Sequence, residues 1–215
     1  MSHAAPVDPH SEEVPHDDCG PLVAHGSTLN LGIRNGKLAM WLFLASEVMF
    51  FTGLIGAYII LRAGQTTWGD PTALDYPLNI PLTAANTFLL ICSSVTLVWG
   101  LQAFQQGDQF KGRMGLLLTT IFGAMFVGVQ VYEYYHLIHA GMTPEKDIMA
   151  SCFYAMTGFH GLHVFLGVVA MAVLTVRGYM GCYGPKNYQQ IEYTGLYWHF
   201  VDLVWIILFA IVYLI

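Results

Sequence analysis

Long apolar runs separated by short polar stretches make up most of the chain after its first 36 residues. Each of the five runs holds roughly 20 residues or more, the length an α-helix needs to cross a hydrocarbon core about 30 Å thick. Glycine and proline mark the connections between the runs. The pattern predicts an all-α fold, a polytopic membrane bundle of five transmembrane helices at about residues 38–61, 80–104, 114–138, 150–176 and 196–215.

The first 36 residues have a different composition, rich in proline, acidic residues and histidine. Such a segment buries too little apolar surface to fold, so we expect residues 1–36 to be a disordered tail before a membrane domain at 37–215. Its histidines are either incidental to a solvated tail or form a surface buffer that collects protons, with metal capture as a third option. These histidines are His3, His10, His16 and His25.

The overall composition agrees with a membrane protein, since 55% of the residues are hydrophobic and only 10% are charged. Five of the acidic residues lie in the first 18 positions, so the net charge of −6 belongs largely to the tail. No basic cluster indicates a nucleic-acid partner. Basic residues favour the tail and the second and fourth loops over the first and third, which predicts a cytoplasmic N-terminus.

The four cysteines, at positions 19, 92, 152 and 182, show no C-x-x-C spacing. We interpret them as free thiols that pack as small apolar side chains.

Two histidines lie well inside the fourth apolar run, at His160 and His163. Ionisable side chains are costly in a bilayer, and a spacing of three places both imidazoles on one helix face. Glycines at Gly158, Gly161 and Gly167 allow a neighbouring backbone to approach the same stretch closely. The pattern predicts a narrow polar seam that faces protein and not lipid.

Glu47 lies near the middle of the first span, about ten residues after Lys37. An ionised carboxylate at that depth costs about 2.5–3.5 kcal/mol, so we expect Glu47 to be protonated or held by a partner. Two interpretations stay open: a proton site or polar switch, and a hydrogen-bonded carboxyl that fixes helix packing.

Glu133 and His136 share a helix face near the end of the third span. A Glu-x-x-His pair is half of a di-iron carboxylate motif, but the chain has no second copy. A solvated or inter-helix hydrogen-bonded pair is the other interpretation.

His199 and Asp202, in the fifth span, are also three residues apart and can pair directly. We expect a structural pair, joined to each other, to a neighbouring helix or to a lipid head group. Participation in a proton path is the alternative.

The polar residues are staggered in depth, which argues against one metal cluster, and we expect no metal or other redox cofactor on this chain. A stand-alone di-metal membrane enzyme is nevertheless a hypothesis of another class. A proton-coupled transporter is a third, although the chain shows no internal repeat or broken-helix signal.

Four segments together resemble subunit III of the haem-copper terminal oxidases, in the order and spacing of that family. They are SEVMFF at 46–51, QVYEY at 130–134, TGFHGLHV at 157–164 and YWHFVDLVW at 197–205. The resemblance covers about residues 37–215.

The resemblance implies a non-catalytic membrane subunit of a bacterial plasma-membrane oxidase that passes electrons from cytochrome c to oxygen and pumps protons. Such a subunit packs beside the catalytic subunit I, in a complex with subunit II, and haem and copper lie in those partners. It supports proton uptake, stabilises subunit I and holds structural phospholipid. The family's carbodiimide-reactive glutamate maps onto Glu47, and its other polar positions onto Glu133, His160, His163, His199 and Asp202.

Many members of that family have two further helices before the one that carries the glutamate, and here the tail stands in their place. The five-helix form resembles that of many bacterial oxidases, including quinol oxidases. Glu47 and the segment Gln130–Tyr134 favour the cytochrome c branch, and subunit III of a quinol oxidase is the alternative.

Overall fold

Five long helices form the bundle in the computed structural model, which describes residues 35–64, 80–145 and 148–214. All five are long and apolar enough to span a membrane, so the predicted five-helix all-α fold is confirmed. The helices are α1 (Asn35–Gly64), α2 (Ile80–Gln105), α3 (Gln109–His139), α4 (Ile148–Tyr179) and α5 (Gln189–Phe209), and a π-helical turn (Ala210–Leu214) continues α5.

The helices extend beyond the apolar runs from which they were predicted. The third begins at Gln109, before the predicted 114, because Asp108 caps it and accepts a hydrogen bond from the Lys111 backbone N–H at 3.1 Å. The fifth begins at Gln189, before the predicted 196. Gly107 and Gly181 follow α2 and α4 with φ of +83° each, the left-handed conformation that ends a helix at little cost for glycine.

Helices α2 and α3 are antiparallel neighbours whose backbones nearly touch. A Cβ atom on Gly115 would lie 2.5 Å from the Gly100 Cα atom, so only glycine permits this approach. One turn further along, the hydroxyl groups of Thr96 and Thr119 lie 2.9 Å apart across the same interface. Close backbones joined by hydroxyl contacts are the usual packing of helices that lack a hydrophobic driving force between them.

Trp198 of α5 anchors the centre of the larger core cluster and is almost fully buried. Its indole lies in a slot between α3 and α4, where a Cβ on Gly123 would lie 2.5 Å from the ring and one on Gly167 would lie 2.9 Å from it. Its Nε1–H donates to the Ser93 hydroxyl of α2 at 2.9 Å. One side chain therefore ties α5 to three other helices.

Helix α1 lies at the edge of the bundle and packs mainly on α4 and α5. Only 11% of its most apolar stretch is buried, against 33–44% for the other four helices. Phe51 and Tyr58 face inward, and Lys37 forms a 2.8 Å ion pair with Glu192 at the start of α5. Most of the α1 surface is thus free to contact lipid or another protein.

The cysteine interpretation is correct for Cys92 and Cys152, which are free. It is wrong for Cys182, which is disulfide-bonded. The fourth cysteine, Cys19, belongs to residues 1–34, which lie outside the described residues and make up all of the predicted tail except Asn35 and Gly36, where α1 begins.

Candidate functional site: polar contacts between the helices

The central contact joins Glu47 of α1 to His163 of α4. The Glu47 Oε2 and His163 Nε2 atoms lie 3.0 Å apart, and both side chains are largely buried, at 16% and 15% exposure. The distance is that of an ion pair, but the ring nitrogen is not directed at the oxygen closely enough for a hydrogen bond. The Phe51 ring contacts the imidazole edge-on, with ring centroids 5.1 Å apart.

The other ring nitrogen determines what this pair can do chemically. His163 Nδ1 lies 2.7 Å from the Phe159 carbonyl oxygen, which can only accept a hydrogen bond, so Nδ1 carries a proton. Nε2 is therefore the nitrogen that faces the Glu47 carboxyl group. The contact places one carboxyl group beside one imidazole nitrogen within the membrane span.

His160 faces protein as predicted, but it does not join the Glu47 contact. It is fully buried, and its ring stacks on Trp205 of α5 with centroids 4.8 Å apart and planes 25° apart. Within the described residues neither of its nitrogens has a hydrogen-bond partner. Phe126 of α3 and Phe51 of α1 contact the same ring. Aromatic packing, and not a polar seam shared with His163, holds this imidazole.

Asp202 contacts a neighbouring helix, which is one of the partners expected for it, and not His199 directly. Its Oδ2 atom accepts a hydrogen bond from the Ser94 hydroxyl of α2 at 2.7 Å. His199 is half-buried and near enough to interact electrostatically, yet no ion pair joins the two among the described residues. The carboxylate therefore acts as a contact between α5 and α2.

A row of hydroxyl groups on α2 receives the polar groups of α5, and sequence reasoning missed it. Besides Ser94, the row includes Ser93, which accepts from Trp198, and Thr87, whose hydroxyl accepts from the Trp205 Nε1–H at 2.9 Å. The available signal was the recurrence of small hydroxyl residues along an otherwise apolar helix.

Glu133 and His136 do not form a pair. Glu133 is buried, and its Oε1 atom accepts from the Thr83 hydroxyl at 3.1 Å and from the Tyr213 hydroxyl at 3.2 Å. His136 is exposed and contacts the Tyr132 ring, with centroids 4.4 Å apart. The described residues contain no group of three histidine, cysteine, aspartate or glutamate side chains that could hold a metal ion.

The segment Gln130–Tyr134 fastens α3 to α4. Gln130 Nε2 donates to the Thr157 carbonyl oxygen at 2.8 Å, and the hydroxyls of Tyr134 and Thr157 lie 2.6 Å apart. A Cβ on Gly161 would lie 2.9 Å from the Gln130 Oε1 atom, so this glycine leaves room for the amide.

The five spans define the chain as a polytopic membrane protein, and its buried polar side chains are distributed over several pairs of helices. The family model for cytochrome c oxidase subunit III matches residues 20–215. A probable cytochrome c oxidase subunit 3 of Nocardia farcinica is 41% identical over 174 residues, which are 80% of this chain and 84% of the relative. Cytochrome c oxidase subunit 3 of Synechocystis sp. is 39% identical over 195 residues, 90% of this chain and 81% of the relative.

The corresponding protein of Corynebacterium diphtheriae is 39% identical over 176 residues, 80% of this chain and 84% of the relative. The chain belongs to the cytochrome c oxidase subunit III family. Members of this family bind no redox centre themselves. With five membrane spans and bacterial relatives, the chain is a multi-pass protein of the plasma membrane that associates with other oxidase subunits.

Proposed function

We propose that this chain supports proton uptake by, and the stability of, the catalytic subunit I in a proton-pumping oxidase that transfers electrons from cytochrome c to oxygen. The observation that carries the proposal is the contact between Glu47 and His163, because it places a carboxyl group and an imidazole within the membrane span, with the carboxyl group on the least covered helix of the bundle. Subunits I and II supply the haem and copper.

The exposed fraction of the pair supports proton exchange in place of a purely structural role. Neither side chain is fully buried, whereas His160 is, so the pair is open to a neighbouring subunit that covers this side of α1, from which a proton would reach it. We assign proton exchange to Glu47 and His163. Of the remaining polar positions, we assign Glu133 and Asp202 to hydrogen bonds between helices and His160 to aromatic packing, and His199 lies beside Asp202.

The uncovered face of α1 favours this helix as the contact with subunit I and with structural phospholipid. Trp41, Met49 and Ile60 are exposed along it, at 56%, 78% and 73%. The excess of basic residues in the tail and in the second and fourth loops favours a cytoplasmic N-terminus, which would place the start of α1 on the side of proton uptake.

The experiment is a comparison of Glu47→Gln and Glu47→Leu in the purified oxidase complex. Glutamine keeps the shape of the carboxyl group and its capacity for hydrogen bonds but does not exchange a proton, so the subunit should stay bound while the enzyme inactivates after fewer turnovers. Leucine also leaves the His163 Nε2 atom without its polar neighbour, so retention of the subunit or its lipid should fall as well. Asp108→Asn, on an exposed loop, is the matched control and should change neither quantity.

Three quantities are measured: the ratio of this chain to haem after purification, bound phospholipid, and the number of turnovers before inactivation with ferrocytochrome c as donor. If both Glu47 variants match the unsubstituted complex in retention of this chain and in turnover lifetime, a special role for this side chain is excluded. Oxidation of quinol in place of ferrocytochrome c would contradict the proposed electron donor. A chain purified without haem but loaded with metal would instead support the di-metal enzyme.

A further inference from the structure

The fifth helix changes its hydrogen bonding after Phe209, where the π-helical turn Ala210–Leu214 begins. A π turn takes one more residue than an α turn, so it redirects the side chains that follow it, and such turns occur frequently at functional sites. Here Tyr213 is turned inward and is 9% exposed, while the adjacent Leu214 remains 64% exposed.

Tyr213 reaches across the bundle to Glu133 of α3. Its hydroxyl donates to Glu133 Oε1 at 3.2 Å, and its ring stacks on Phe209 with centroids 5.4 Å apart. The Phe153 ring of α4 contacts the Tyr213 ring edge-on, with centroids 5.9 Å apart. The turn is therefore attached to two helices besides α5, and the carboxylate is one of the two attachment points.

Glu133 is buried between α2 and the π-helical turn, although its neighbours in sequence are open. Glu133 is 7% exposed, whereas Tyr132 and Tyr135 on the same turns of α3 are 56% and 60% exposed. Thr83 of α2 covers the carboxylate from one side and donates to the same oxygen atom. Tyr213 covers it from the side of α5.

We propose that the π-helical turn Ala210–Leu214 is a lid over Glu133, and that its opening gives water and protons access to this carboxylate. The lid is closed by the hydrogen bond from Tyr213 and by the packing of its ring on Phe153. Opening requires only the π-helical turn to move, since the hydrogen bonds between α5 and α2 involve residues before Phe209. The proposal does not depend on the role given to Glu47.

The test is chemical labelling of carboxylates in the intact, purified complex. A water-soluble carbodiimide activates an accessible carboxylate, and an added amine such as glycinamide then replaces the activated group to leave an amide. Peptide mass spectrometry gives the labelled fraction at each carboxylate. Asp108, at 36% side-chain exposure, is the internal reference for an open carboxylate, and Asp202 is the reference for a buried one.

In the unsubstituted complex, labelling of Glu133 should be far below that of Asp108. Tyr213→Phe removes only the hydroxyl, and we expect the labelling rate of Glu133 to rise about ten-fold, the change in open population that the loss of one buried hydrogen bond produces. Tyr213→Ala should raise it further, towards that of Asp108. Leu214→Ala, in the same turn but facing outward, should leave it unchanged.

Labelling of Asp202 reports whether a variant has opened the whole bundle. If Tyr213→Ala exposes Asp202 as well, the result rests on Tyr213→Phe, and a rise at Glu133 without one at Asp202 supports the lid. The lid is excluded if Glu133 in the unsubstituted complex is labelled as fast as Asp108. It is also excluded if Tyr213→Phe leaves labelling of Glu133 unchanged, or if Leu214→Ala raises it as much as Tyr213→Phe does.

Discussion

Glu47 and His163 meet at 3.0 Å between Oε2 and Nε2, and this contact attaches the least covered helix of the bundle to α4. The only other ion pair that binds α1 to the rest of the described residues is Lys37–Glu192, at the helix start. The position of α1 therefore depends on these two ion pairs and on the buried side chains of Leu44, Phe51 and Tyr58.

The first prediction concerns the energy of that contact. Glu47→Leu and His163→Leu should each destabilise the chain, because each leaves the other side chain without its partner. The double variant should lose less than the sum of the two, with a coupling free energy of about 0.5–1.7 kcal/mol, the range found for polar contacts between membrane helices. Detergent titration of unfolding for the four proteins measures it, and additive losses would mean that the pair contributes no direct interaction.

The slot around Trp198 gives the second prediction. Gly123→Ala places a methyl group 2.5 Å from the indole and 2.8 Å from Val168, and it should cost about 1–3 kcal/mol of unfolding free energy. Gly128→Ala, on the same helix, meets no atom within 4 Å and should be neutral or stabilising by up to about 1 kcal/mol, since alanine is the better helix former. Equal effects of the two would show that the slot is not tightly packed.

The helix count was predictable because a membrane span requires a long apolar run, and this requirement can be read from the sequence alone. The helix ends were not, because they depend on local hydrogen bonds such as the cap at Asp108, and on polar residues that continue a helix beyond the hydrocarbon layer. The π-helical turn after Phe209 has no apolar or polar pattern that distinguishes it from the α-helix before it.

Contacts within one helix were easier to foresee than contacts between helices. Spacing placed His199 beside Asp202, but the partner of Asp202 proved to be Ser94, on a helix that is not next to α5 in the chain. Thr87 carries no signal of an inter-helix contact in the sequence, because a threonine in a helix can donate to the backbone of its own helix, as Thr87 does to the Thr83 carbonyl oxygen. The arrangement of helices around one another decides these pairs, and spacing along the chain carries no information on it.

The third prediction tests the partner of Asp202. Ser94→Ala removes the hydroxyl that donates to a buried carboxylate and should cost about 1–3 kcal/mol of unfolding free energy. His199→Gln should cost clearly less, because His199 makes no ion pair with Asp202 among the described residues. Detergent titration compares the two variants. A larger loss for His199→Gln than for Ser94→Ala would restore the pairing expected from spacing.

The last prediction concerns acid, at the exposed cap of α3. The Lys111 side chain and backbone N–H hold the pKa of Asp108 below its ordinary value of 3.8. A carboxyl group with a lowered folded-state pKa stabilises the fold at pH values above its unfolded-state pKa, and this contribution is lost as the pH falls through the folded-state pKa.

Asp108→Asn keeps a good capping residue without the charge. It should therefore lower thermal stability at neutral pH and make no difference in strong acid, below the folded-state pKa. Lys111→Met should reduce the same pH dependence, and high salt should reduce it too, because the pair is exposed to solvent. Thermal unfolding of the complex from neutral pH to strong acid measures this pH dependence. If Asp108→Asn and the unsubstituted protein still differ in strong acid, the cap acts through geometry and not through charge.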